Sequence, residues 1–218
     1  MIDRFMAHRL DPGIKRYLKR HFPGEAASIR RKAKELYPEL KSKAPDIGGR
    51  ENTQSINLDM FITMVSYYEA SDHRMAGEAI DEIIADVFSH MQILHFCLNI
   101  NVPFIFRVVK NAIYNDYRAY RVKVKEKVQK GKWNDTWEVI VGPREPEGLS
   151  LTYLGCPIVN YAKKNGYEEL VPHACAVDEA YAKLIHSKLI RTQMISQGAD
   201  YCDSWFVPDK SDIAKNHI

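Results

Sequence analysis

The residues best suited to chemistry lie between Cys156 and Phe206, where three of the four cysteines fall. The densest group is His173-Ala174-Cys175-Ala176-Val177-Asp178. Pro172 just ahead of it suits a first helical position, because its missing N–H has no partner there anyway. A helix opening at Pro172 puts Cys175 in its first turn, where the helix dipole and unpaired backbone N–H groups favour thiolate. Asp178, three residues on, then shares a face with the thiol. A thiolate beside an acid or base, with His173 two residues back, is a constellation for nucleophilic attack on a carbonyl-like carbon. A buried cysteine next to a helix-end aspartate would give the same spacing with no chemistry at all. Cys156, Cys175, Cys202 and His173 could also be read as a Cys3His metal site. No two cysteines form a C-x2–4-C pair, so no metal is expected. His90 and His95, five apart, fit a helix surface or core better than a metal. No P-loop, GxGxxG, HExxH or GxSxG is present, and no cofactor is expected.

The elements that must position these residues are mostly helical. Short polar pieces around Asp11-Pro12-Gly13 and Phe22-Pro23-Gly24 precede a helix from Glu25 to Tyr37, which Pro38 is expected to end or kink. Residues 45–54, with Gly48-Gly49, read as a loop. Leu58 to Tyr68 keeps helical spacing, as does the run from Ile80 to Leu94 after a break at Ser71-Asp72-His73. Asn99 to Pro103 interrupts, and Phe104 to Lys130 reads as one long helix whose Lys/Arg-rich end is a solvated basic face. The period then changes to two. Trp137, Val139 and Val141 alternate, as do Leu149, Leu151 and Tyr153, predicting a hairpin with a long loop from Gly142 to Gly148. Pro157 to Lys164 reads as a short helix. Pro172 to Gln197 reads as one long helix capped by Gly198, and Tyr201 to Val207 as a further strand.

This ordering predicts an α+β fold: an N-terminal helical layer, then a small antiparallel sheet packed on a long C-terminal helix. A chain of 218 residues with 45% hydrophobic and 27% charged residues is expected to form a single domain over 1–218, mainly helical to 131, with the sheet and the site in 132–218. A net charge of +3 is too mild to argue for nucleic acid. With no signal-like start and no membrane-length apolar run, a cytoplasmic protein with reduced thiols is expected. The partners expected are a small-molecule substrate, no nucleic acid and no membrane, with room for a homo-oligomer.

The C-terminal third resembles the L-2-amino-thiazoline-4-carboxylic acid hydrolase family. The resemblance rests on Cys156-Pro157 after a strand, Cys175-x-x-Asp178, Arg191, Gly198 and Cys202-Asp203-x-x-Phe206. More loosely it extends upstream to the helix opening at Glu25, to Asn52 and to the 58–68 and 77–88 helices. It departs at Ser204-Trp205, where a tighter Cys-Asp-Phe-x-Phe pattern is expected. The resemblance implies a hydrolase that opens a cyclic amidine at a C–N bond. For such a reaction the helix position makes Cys175 the candidate nucleophile, Asp178 the general acid/base or the group holding the amidinium, and His173 their companion, with Cys156, Cys202 and Asp203 around the substrate. Arg191 could clamp the substrate carboxylate in a bidentate pair, but a continuous helix would put it about 24 Å from Cys175, which leaves it in a structural role. The alternatives are a small-molecule-binding domain without turnover, similar to vinyl-reductase-type ligand-binding domains, and a tailoring enzyme acting on another small ring.

Overall fold

The computed structural model describes residues 2–142 and 147–217, so the expected loop from Gly142 to Gly148 lies partly outside the described residues. The chain opens with α1, Ile2–His21, which runs through Pro12 and Gly13 where the sequence suggested a break. An interior proline costs a helix about 3 kcal/mol, but Ile14, Tyr17 and Leu18 are all buried at helical spacing behind it. Burying three such side chains outweighs that cost, at about 1.5–3 kcal/mol each. Helix α2, Ala26–Ser42, likewise passes through Pro38 with Ile29, Ala33 and Leu40 buried on one stripe. Helix α3, Ser55–Ala70, is buried on nearly all sides. The turn before it is held by Asn52, whose side chain donates to Ile47 O at 2.7 Å and accepts from Gln54 N at 2.9 Å.

The expected run from Ile80 to Leu94 is two helices, α4 at Gly77–Ser89 and α5 at Gln92–Cys97. The break falls at His90 and buried Met91, where the His90 ring nitrogen Nδ1 lies 2.7 Å from Asp86 O. Helix α6 spans Pro103–Gln129, with Pro103 at its first position. Strands β1, Glu138–Val141, and β2, Leu149–Leu154, pair antiparallel with Val139 opposite Tyr153. Helix α7 is Pro157–Asn165.

The long helix expected from Pro172 to Gln197 does not form. Its place is taken by α8, Val171–Cys175, then α9, Val177–Leu184, then strand β3, Ser187–Ile190. His186 marks the change of conformation with φ of 57°. The physical reason is non-local. β3 pairs with β4, Tyr201–Pro208, placing Leu189 opposite Phe206 and Ile190 opposite Trp205. Ile190 and Val207 then form a small core with Ala214 of α10, Asp212–Asn216. The β-branched Ile190 sits better on this pleat than in a helix.

Two compact units result. One comprises Met1–His90 and Pro157–Val177 and is helical, with α1 against α4, α2 against α3, and α8 against α4. The other comprises Met91–Cys156 and Asp178–Ile218 and holds a four-stranded antiparallel sheet in the order β1-β2-β4-β3. On one face of that sheet stand Val139, Leu151, Tyr153, Cys202, Ser204 and Phe206, as the registers require. Tyr117 of α6 meets Tyr153 edge-on at 6.2 Å, and Tyr181 of α9 meets Phe206 edge-on at 5.9 Å, so both helices cover this face. Helices and a small antiparallel sheet together make the fold α+β, as read from the sequence. No helix among the described residues is long and apolar enough to cross a membrane.

Candidate functional site

The antiparallel registers bring three chain positions to one end of the sheet. Cys202 lies near the start of β4, opposite Tyr153. Cys156 follows two residues after Leu154, the last residue of β2 in that ladder. Arg191 follows Ile190, the last residue of β3. Arg191 continues the strand alternation, which turns it toward the same face as Cys202. There its Nη2 donates to Asp178 Oδ2 at 2.6 Å. Asp178 stands in the first turn of α9, the helix laid on that face. The two partners are unequally exposed: the Arg191 side chain is 10% accessible and that of Asp178 49%. Arg191 Nε is buried and has no hydrogen-bond partner among the described residues.

The thiol of Cys202 belongs to the same cluster. It accepts from Ile195 N at 3.2 Å, at the start of a short 3-10 turn over Ile195–Gln197 that closes on Gly198. Gly198 has φ of 94°, a left-handed conformation that a side chain would strain. Burial pushes the Cys202 thiol up. The Ile195 N–H and the Arg191 charge oppose that shift, and the Asp178 and Asp203 carboxylates add to it. Cys202 is therefore a thiol rather than a thiolate near neutral pH.

Asp203 points to the other face of the sheet and is 3% exposed. Its carboxylate accepts from Thr192 N at 2.7 Å, Thr192 Oγ1 at 2.7 Å and Gln193 N at 2.6 Å, while its own N–H donates to Gln193 O at 3.1 Å. Such charge-assisted bonds are the stronger kind. Asp203 fixes the segment that carries Arg191, and so positions the cluster without entering it.

The remaining candidate residues lie in the helical unit. Cys175 is the last residue of α8, not in the first turn of a long helix. The dipole argument for its acidity therefore fails, because the C-terminal end of a helix carries the opposite partial charge. His173 Nδ1 lies 2.8 Å from Asp81 Oδ2, and its ring fills the space above Gly77. A Cβ at Gly77 would meet His173 Nε2 at 1.8 Å, so only glycine admits the ring. Both partners of His173 belong to α4, which makes it a tie between α8 and α4. Of the residues read from the sequence, Asp178 and Cys202 come together and Asp203 supports them. Cys156 lies at the same sheet end, while His173 and Cys175 belong to the other unit.

Arg191 is the residue whose place in this cluster sequence reasoning missed. Ser187 to Ile190 carries no alternation that would mark a strand, so Arg191 reads as part of the helix from Pro172 to Gln197. Hollows of about 460 and 340 Å³ occur elsewhere, the first along α2 at Arg30, Arg31 and Lys34, the second beside α6 at Arg118, Arg121 and Lys125. The residues lining them include no thiol or histidine, and the one carboxylate, Glu35 in the first, is exposed and 3.9 Å from Arg31, so the charged cluster is the stronger candidate. Among the described residues no three His, Cys, Asp or Glu side chains gather as a metal ion requires.

A profile of the L-2-amino-thiazoline-4-carboxylic acid hydrolase family matches residues 57–206. The chain belongs to this family, whose name is that of a hydrolase. The match includes Asp178, Arg191, Cys202 and Asp203 and ends at Phe206. No curated protein matches the chain. Among solved structures, the H-NOX domain from Shewanella oneidensis, determined by NMR in its Fe(II)CO ligation state, aligns at 11% identity with a TM-score of 0.33, over 91% of this chain and 98% of that one. A likeness that weak carries no argument about this protein.

Proposed function

We propose that this member of the L-2-amino-thiazoline-4-carboxylic acid hydrolase family opens the ring of a 2-aminothiazoline-4-carboxylate or a close cyclic amidine, with Asp178 moving the protons. The reading is supported by one observation above the others: an accessible carboxylate, Asp178, paired at 2.6 Å with a buried guanidinium and flanked by the Cys202 thiol, all inside the family match. Water is the nucleophile in this scheme. Asp178 takes a proton as the water oxygen adds to the amidine carbon, then returns it to the ring nitrogen as the ring C–N bond breaks. The product is one water heavier than the substrate. General acid–base catalysis of this kind contributes on the order of a hundredfold to ten-thousandfold.

Cys202 is the wall of the site on this scheme. Its raised pKa leaves it protonated and a poor nucleophile. Cys175 lies at the wrong end of its helix for an activated thiol. The substrate is small, and the reaction is placed in the cytoplasm, where the cysteines stay reduced. The test is incubation of the purified protein with L-2-amino-thiazoline-4-carboxylate and mass analysis of the mixture. A time-dependent product one water heavier, with no new thiol, is expected for scission of the ring C–N bond. A new free thiol would move the scission to the C–S bond, and an unchanged substrate would end the hydrolase reading.

A further inference from the structure

We propose that α5 and the start of α6 form a docking tip for an anionic lipid surface. Helix α5, Gln-Ile-Leu-His-Phe-Cys, is largely apolar in sequence and buries none of its residues. Ile93 is 80% exposed and Phe96 84%, three residues apart and so on one side of the helix. Val102 in the following turn and Phe104 in the first turn of α6 are exposed as well. Single exposed hydrophobic residues are ordinary, but these four fall within one short stretch of chain, and such a patch marks an interaction surface. What holds α5 in place is mostly polar. His95 Nδ1 lies 3.2 Å from Leu184 O, His186 Nε2 lies 3.0 Å from His95 O, and the two imidazoles stack at 4.0 Å. Buried Met91 precedes the helix, and buried Ile100 ties down the turn after it, its N–H donating to Ile185 O at 3.1 Å. All these partners belong to the unit with the sheet. The helix is thus fixed to the α9–β3 junction while Ile93 and Phe96 are left in water, the reverse of an ordinary amphipathic helix.

Charge narrows the partner. From Met91 to Asn115 the chain has Arg107 and Lys110 and no acid. Farther along α6, Arg118, Val122 and Lys125 continue the side begun by Phe104 and Val108, and all five are exposed. Helix α6 carries seven Lys and Arg against Asp116 and Glu126, a net of +5 in a chain whose whole net charge is +3. A second copy of this chain would set two such positive helices against each other. An oligonucleotide would meet the charges, but Ile93 and Val122 offer no ring on which a base could stack. An anionic bilayer surface answers both features at once. Its headgroups attract the Lys and Arg side chains, and its acyl boundary takes the apolar ones to a depth of about 5–10 Å. Such an element lies on the membrane rather than crossing it. The sequence suggested no membrane partner because a spanning run is recognised by its length, whereas this patch exists only once α5 is folded with its apolar side outward.

Co-sedimentation of the chain with vesicles tests the proposal, using phosphatidylcholine alone and phosphatidylcholine with about a third phosphatidylserine. The expected result is binding at least about tenfold tighter to the anionic vesicles, weakened at least about fivefold when salt is raised from about 0.05 to about 0.5 M. The double variant Ile93→Ser with Phe96→Ser should lose at least about tenfold in affinity for the anionic vesicles. Both side chains are exposed, so the variant is expected to fold, and circular dichroism with a melting curve checks this. Failure to bind the anionic vesicles, or equal binding to both kinds, overturns the proposal without any variant. So does a folded double variant that binds the anionic vesicles as tightly as the unaltered protein, because charge alone would then account for the binding. A stable dimer that the double variant breaks would assign the tip to a second copy and overturn the proposal. Tighter binding to a single-stranded oligonucleotide than to the anionic vesicles would overturn it in favour of nucleic acid.

Discussion

Arg191 and Asp178 are the only ion pair among the described residues in which a nearly buried guanidinium meets a half-open carboxylate. Arg16 and Asp86, for comparison, are the reverse, with the carboxylate the more buried partner. Solvent reaches the carboxylate at the candidate site and not the guanidinium, which is the arrangement a proton-transferring carboxylate needs. Beside it, Cys202 holds its proton more tightly in the folded protein than an unfolded thiol does, burial being the main cause. The sign follows: this group favours the folded state below the ordinary thiol range, and that contribution is lost as pH rises through the folded value. Site-resolved alkylation with iodoacetamide should therefore show Cys202 reacting with a pH midpoint above that of the same residue in the denatured protein. A lower midpoint would mean an activated thiolate and would return Cys202 to the role of nucleophile. At this scale the sequence was informative about residue types: Asp178, Cys202 and Asp203 all stood out. It set Arg191 apart as structural, because its neighbours are set by strand pairing rather than by spacing along the chain.

The decisive element is β3. The four residues of β3, Ser187-Lys188-Leu189-Ile190, show no alternation of their own, so local spacing does not set them apart from the helix read over Pro172 to Gln197. The choice is made by partners far along the chain: Leu189 against Phe206, Ile190 against Trp205, and Ile190 with Val207 in a small core. Once β3 forms, Arg191 moves from a remote helix position to the sheet end that holds Cys202. The same limit explains the prolines. Pro12 and Pro38 read as breaks, yet the buried stripes around them keep α1 and α2 continuous. The hairpin of β1 and β2, by contrast, was legible, because alternation over a short run bounded by glycines has few other solutions. Asp203 is the lock on the segment after β3. Asp203→Asn should cost about 2–4 kcal/mol, the scale of losing charged acceptors for buried N–H groups. Amide exchange at Thr192 and Gln193 should quicken with it. Unchanged exchange at those two amides would show that the lock lies elsewhere.

Across the whole molecule the chain passes between its two compact units at His90–Met91, Cys156–Pro157 and Val177–Asp178. The last two passages fall inside the stretch richest in chemical residues, so its six candidates are shared out: His173 and Cys175 to the helical unit, Cys156, Asp178, Cys202 and Asp203 to the unit with the sheet. Composition and periodicity were enough to expect helices with a small antiparallel sheet. They could not say that Cys175 and Asp178, three residues apart, would end one helix and begin another. That division is what moves the chemistry from a helix-start thiol to a carboxylate beside an arginine. The direct measurement is single-turnover ring opening of L-2-amino-thiazoline-4-carboxylate by Asp178→Asn and Cys175→Ser, each shown to be folded by its melting curve. With Asp178 as the proton-moving group and water as the nucleophile, Asp178→Asn loses at least about a hundredfold in rate while Cys175→Ser stays near the unaltered protein. A Cys175→Ser variant that loses the activity while Asp178→Asn retains it would contradict the account.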